Sequence, residues 1–153
     1  MTHAYHDVRI DRPIADVFEF LADGRNNPQW QHLVISTQRP DGPIGVGSVF
    51  RQRARHPLGL TVSADYRVSE YIAPNRLSVH VISGGPFRPT LTFDLVSEGG
   101  TRTAVRCTLK FQPGGIARLA TPALSLLHPL FAWEAASVER ARPILEARSR
   151  RVA

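Results

Sequence analysis

Between residues 33 and 112 the chain alternates apolar and polar side chains in six short runs, each cut off by a Gly or Pro breaker. The runs lie near 33–38, 48–56, 60–71, 76–82, 87–97 and 102–112. Between them stand Pro40-Asp41-Gly42-Pro43, Gly45-Val46-Gly47, Pro57-Leu58-Gly59, Pro74-Asn75, Gly84-Gly85-Pro86 and Gly99-Gly100. Gly admits positive φ, while Pro fixes φ and removes a donor, so each breaker is a turn with a mechanism. Period-two alternation predicts strands, and the short spacing predicts antiparallel hairpins. Tyr5 to Ile10 forms an earlier strand, with Tyr5, Asp7 and Arg9 alternating with His6, Val8 and Ile10. Asp11 then suits a helix cap and Pro13 a first helical turn. Ile14, Val17, Phe18 and Leu21 follow at helical spacing, and Asp23-Gly24 ends the helix. Arg25 to Gln31 reads as a second short helix or tight turn carrying Trp30.

The alternation stops at Gln112-Pro113-Gly114-Gly115. Beyond it Leu127, Phe131, Val138 and Leu145 keep helical spacing, with Leu130, Ala141 and Ile144 beside them. Pro122 suits the start of the main helix, whereas Pro129 and Pro143 predict kinks or breaks. An unbroken helix from Pro122 to Ser149 would span roughly 40 Å at 1.5 Å per residue. The order is strand, two short helices, six strands and a long C-terminal helix, which is an α+β chain.

A length of 153 residues fits one domain, taken here as 1–153. Cys107 is the single cysteine, which excludes an intramolecular disulfide and a Cys-based zinc cluster. No run approaches about 18 apolar residues, so no membrane span is expected. The N-terminus lacks a basic segment followed by an apolar run, so no secretion signal is expected and the cytoplasm is the default compartment. The net charge is +6, carried by arginines and one lysine, Lys110. These charges are spread along the chain with acids between them, which argues for loose attraction to anions and against specific nucleic-acid recognition.

Strand alternation assigns the faces. Phe50, Gln52, Ala54 and His56 oppose Arg51, Arg53 and Arg55. Leu60, Val62, Ala64, Tyr66 and Val68 oppose Thr61, Ser63, Asp65 and Arg67. Phe87, Leu91, Phe93 and Leu95 oppose Arg88, Thr90, Thr92 and Asp94. Thr103, Val105, Cys107, Leu109 and Phe111 oppose Ala104, Arg106, Thr108 and Lys110. One face is therefore apolar and the other polar and basic, without aromatic side chains on which bases could stack. Only the C-terminal helix is long enough to cover the apolar face, leaving either a dry core or an open cavity. Trp30, Gln52, His56, Tyr66, Phe87, Phe93, Phe111 and His128 are the candidate ligand-binding residues. The competing reading makes the rings plain core, Gln52 and Tyr66 internally bonded, and His56 and His128 strand-end and helix-break residues. His3 and His6 fall on opposite faces and make a poor chelating pair, so no metal is expected. No cofactor is expected either. The chain lacks a Gly-x-Ser-x-Gly elbow, a P-loop and a His-Glu-x-x-His motif, and no acidic residue falls on the inner face.

Several short motifs occur in a telling order. Asp11-Arg12-Pro13-Ile14-Ala15-Asp16-Val17-Phe18 stands at the first strand-to-helix junction, followed by Pro28-Gln29-Trp30 and Gly45-Val46-Gly47-Ser48. Then come Val68-Ser69-Glu70-Tyr71, Ala73-Pro74-Asn75-Arg76-Leu77 and Gly99-Gly100-Thr101-Arg102. Across residues 3–148 the chain resembles the START or birch-pollen-allergen-like (SRPBCC) superfamily, in its polyketide cyclase/dehydrase and lipid-transport branch. The resemblance implies a helix-grip fold: a seven-stranded antiparallel sheet curved around a long C-terminal helix, with a hydrophobic cavity between them. It leaves function open, since one fold hosts many.

Three functions follow as expectations. The first is binding of a small hydrophobic molecule, a lipid, polyketide or aromatic metabolite, as carrier or sensor. The second is a cyclase, aromatase or dehydratase using a cavity His or Tyr as general acid/base, with no catalytic residue assigned. The third is a co-chaperone-like interaction module using the basic face. Edge strands of such a fold can also pair into homodimers.

Overall fold

A computed structural model describes residues 2–56, 58–84, 88–111, 126 and 128–152. β1 (Thr2–Ile10) leads into α1 (Ile14–Ala22), a 3₁₀ turn (Gly24–Asn26) and α2 (Asn27–Trp30). β2 (Val34–Gln38), β3 (Val49–Arg55), β4 (Thr61–Ser63), β5 (Tyr66–Ile72), β6 (Arg76–Val81), β7 (Thr90–Glu98) and β8 (Arg102–Phe111) follow. The chain closes with α3 (His128–Ala135), a 3₁₀ segment (Ala136–Arg140) and α4 (Ala141–Val152). The strands form one antiparallel sheet in the order β1-β8-β7-β6-β5-β3-β2, with β4 paired to β3 beside this path.

The expected strand over 60–71 is two strands. Ala64 N–H donates to the Gln52 carbonyl at 2.7 Å, and Asp65 Oδ1 accepts from Gln52 N–H at 3.0 Å. Asp65 N–H turns instead to Ser83 Oγ, 2.9 Å away. The chain therefore breaks its pairing with β3 at Asp65 and continues as β5, between β3 and β6. Leu60, expected inside, is 66% exposed.

Asp11 does not cap α1. Its Oδ1 accepts from Arg102 Nε at 2.8 Å, and Pro13 occupies the cap position without a side-chain bond. The main C-terminal helix is broken where Pro143 predicts trouble. Pro143 has no N–H for the Glu139 carbonyl, and its ring would crowd that carbonyl in a continuous α-helix. The chain tightens instead into the 3₁₀ segment, where Ala141 N–H bonds the Glu139 and Val138 carbonyls. Pro122 lies outside the described residues.

Val138, Ala141 and Leu145 are buried against the sheet among Phe18, Phe50, Val68, Leu77 and Leu95. At about 25 cal/mol per Å² of apolar area removed from water, this shared core is the main force holding sheet and helix together. Outer-face arginines pair with acids on β1 and β5 to β8: Arg106 with Asp7 (2.7 Å), Arg9 with Glu98 (2.9 Å), and Arg76 with Asp94 (2.6 Å) and Glu70. Asp7 is held below its ordinary carboxyl range, chiefly by the bond from Arg106. Among the described residues no ion pair engages Arg51, Arg53 or Arg55 of β3. One exposed ring does stand on the outer face: Tyr5, with the Arg106 guanidinium 4.8 Å from its centroid.

Candidate functional site

The concave face of the sheet is not packed dry. A cavity of about 220 Å³ lies between it, α2 and α3. Val79 and Val81 of β6, Leu91 and Phe93 of β7 and Leu109 of β8 form its floor, and Leu130, Phe131 and Glu134 come from α3. Leu91 and Leu109 reach Phe131, Ala132 and Ala135 of α3, and the gap lies beside this contact. Nearer α4 the same gap is filled by Phe50, Val138 and Leu145.

The sequence candidates separate cleanly. Trp30, Gln52, Tyr66 and Phe93 all line the cavity. Trp30, only 1% exposed, meets Phe93 edge-on with centroids 5.8 Å apart. Phe111 does not line it; it is buried behind, stacked on Phe131 at 5.2 Å. His56 is outside the cavity, because β3 ends there in a turn: its Nδ1 accepts from Leu58 N–H at 3.2 Å. His128, at the first position of α3, is exposed, and Phe131 and Glu134 carry the face that meets the sheet. Phe87 lies outside the described residues.

One wall holds a bonded polar cluster. Asn27 Nδ2 donates to Gln52 Oε1 and to Tyr66 Oη, both at 3.0 Å, and Thr37 Oγ1 donates to Gln52 Oε1 at 3.1 Å. Tyr66 also stacks on Phe50, with centroids 5.0 Å apart. Burial raises the Tyr66 pKa above its ordinary 10, opposed by the Asn27 bond. The phenol therefore stays protonated near neutrality and offers a donor rather than a base. Asn27 anchors this cluster, and the sequence reading used it only as a turn residue.

Glu134 is the residue that reading missed. Its Oε2 is buried without a hydrogen-bond partner among the described residues. Burial raises its pKa from 4.5 to about 7, with the Arg140 charge opposing. Trp30 Nε1 is likewise buried and unpartnered among those residues. Beside Glu134 on α3, Trp133 stacks on His32 at 4.0 Å. His32 is partly buried; burial first, and the Arg140 charge second, lower its pKa. Cys107 faces the core, and its thiol is pushed up to about 12 by burial, with Glu134 adding to it. It behaves as a small apolar side chain. Among the described residues no three His, Cys, Asp or Glu side chains gather as a metal site requires. No helix among them is long and apolar enough to cross a membrane.

This architecture recurs in solved structures. A protein from Thermus thermophilus superimposes with a TM-score of 0.72 at 18% identity, covering 97% of this chain and 99% of that one. A START superfamily protein from Mycobacterium smegmatis gives 0.68 at 15% identity, covering 99% of each. The Zhui aromatase/cyclase from a Streptomyces species gives 0.65 at 16%, covering 94% and 95%. At such identities the likeness establishes the helix-grip fold alone. No curated protein matches the chain in sequence. The model of one sequence family matches residues 1–134, most of the chain. The motifs, the curled sheet and the cavity beneath α3 thus have a common origin: the chain belongs to the polyketide cyclase/dehydrase and lipid transport family.

Proposed function

We propose that the protein binds a small hydrophobic molecule in the cavity between the sheet and α3, as a carrier or sensor in the cytoplasm. The observation that carries this reading is a largely apolar cavity of about 220 Å³ between the sheet, α2 and α3. Protein cores rarely keep a gap of this size, and a dry apolar cavity of about 150 Å³ already takes up benzene. Burial supplies the affinity, and a few polar groups on the wall orient the ligand.

Glu134 favours a second reading, an enzyme of the cyclase or dehydratase type. A carboxyl that titrates near neutrality inside the cavity suits general acid/base work better than Tyr66, which keeps its proton.

Native mass spectrometry of protein from its own host, followed by denaturing extraction, tests the first reading. One apolar molecule per chain is the expected result. Ala54→Trp, which fills the cavity from β3, should abolish its capture. The reading fails if the chain comes bare and takes up no naphthalene-sized probe, or if Ala54→Trp leaves uptake unchanged.

A further inference from the structure

The polar groups of the cavity are unevenly satisfied. Asn27, Gln52 and Tyr66 bond one another on the wall formed by α2, β3 and β5. Glu134 Oε2 on α3 and Trp30 Nε1 on α2 have no partner among the described residues. Native structures bond the great majority of their buried polar atoms, so the orphaned carboxyl of a cavity-lining residue asks for a ligand that answers it.

Their chemistry narrows that ligand. Among the described residues Glu134 is the only carboxyl in the lining, and no lysine, arginine or histidine lines the cavity with it. Arg140 acts on it through its charge but makes no ion pair with it among the described residues. A buried carboxylate without a counterion is costly, and a ligand that brings the counterion removes that cost. Trp30, Tyr66, Phe93 and Phe131 add aromatic rings around the same space, which suits a cation as well as an apolar frame. A ligand carboxylate would instead meet Glu134 as a like charge. The indole N–H of Trp30 is a donor only, so it does not pair with the ammonium.

We propose that the preferred ligand is a compact hydrophobic amine of one or two rings, bound as its ammonium against the Glu134 carboxylate. This deepens the binding reading above and rests on it. Because the ammonium pairs with the ionised acid, affinity rises as pH passes upward through the titration of Glu134. The other titratable or charged groups that act on or stand near this end are Cys107 on β8, Tyr66 on β5, His32 after α2, Arg140 in the 3₁₀ segment, and the His6–Glu139 pair. Cys107 and Tyr66 keep their protons across this range, so they add nothing to the trend. His32 has its pKa lowered and sheds its charge below its ordinary 6.5.

Three matched probes test the proposal by calorimetry: 2-naphthylmethylamine, 2-naphthalenemethanol and 2-naphthoic acid. Near pH 8 the amine should bind at least about tenfold tighter than the alcohol, with the acid weakest. Glu134→Gln should bring the amine to within about threefold of the alcohol. Lowering the pH to about 5.5 in the unmodified protein should erase the amine's advantage in the same way, which keeps the test intact if the variant misfolds. An amine no tighter than the alcohol, or a preference that survives Glu134→Gln or the lower pH, overturns this proposal while leaving the cavity reading standing. Failure of all three probes to bind overturns both.

Discussion

Glu134→Gln stabilises the fold strongly near pH 8 and only slightly near pH 5. In the unfolded chain the carboxyl titrates at its ordinary 4.5; in the fold burial moves it to about 7. Below 4.5 both states hold the proton and the residue adds no pH dependence. Between 4.5 and about 7 the unfolded chain releases the proton while the fold retains it, so stability falls as pH rises. Above about 7 both states are ionised and the loss is complete. That interval, at 1.36 kcal/mol for each pH unit, amounts to about 3 kcal/mol. Glutamine has the same shape and no proton to lose, so it escapes the penalty. Urea denaturation of both proteins at the two pH values isolates the effect, because every other titrating group cancels in the difference. A Glu134→Gln effect equal at pH 5 and pH 8 to within about 0.5 kcal/mol would refute the reasoning.

Other expectations follow from named contacts. A Cβ on Gly24 would lie 2.0 Å from Tyr66 Oη and 2.7 Å from Phe50 Cδ1. Gly24→Ala should therefore cost about 2–3 kcal/mol in urea melts, and adding Tyr66→Phe should return part of it; a neutral Gly24→Ala would show that the 3₁₀ turn gives way freely. Leu145→Ala, at a 1% exposed position of α4, should cost about 2–5 kcal/mol by the same assay, and a loss under about 1 kcal/mol would mean that α4 is dispensable to the core. Arg106→Ala removes a more than half-exposed ion pair with Asp7 and should leave the urea midpoint essentially unchanged at moderate salt; a clear drop would give this pair a structural role.

The strands were legible because the alternation that places Val105, Cys107, Leu109 and Phe111 on one face is a local pattern. The break at Ala64-Asp65 was not, because the alternation runs through it without pause. What divides β4 from β5 is Asp65 bonding to Gln52 and Ser83, contacts 13 and 18 residues away. Glu134 was hidden in plain view. Positions 127, 131, 134, 138, 141 and 145 follow the four-three spacing of a helix seam, and an acid at the third of them signals a buried charge or a polar pocket. The apolar members of the seam were recognised, and the odd one was passed over. Whether the gap under α3 is filled depends on side-chain volumes across several elements, which no local pattern encodes. Gln52, Tyr66 and Phe93 lie on the cavity wall where face parity puts them, with Trp30 beside them; His56 and His128 lie outside it at element ends, where parity stops meaning anything.

The arginines of β3, without ion pairs among the described residues, have a consequence for how that strand finds its place. β3 meets β5 through only two residue pairs, Val49 with Arg67 and Phe50 with Tyr66, and its pairing with β2 shifts between Val34 and Ser36. Its inward side chains, Phe50, Gln52 and Ala54, are a weak apolar signal. A slip of one residue would turn Arg51, Arg53 and Arg55 into the cavity. Three guanidinium groups without counterions in that space would cost on the order of 10 kcal/mol or more. The stripe therefore works as a lock against one-residue slips: it keeps Gln52 on the face where Asn27 can reach it, by making an alignment offset by one far worse.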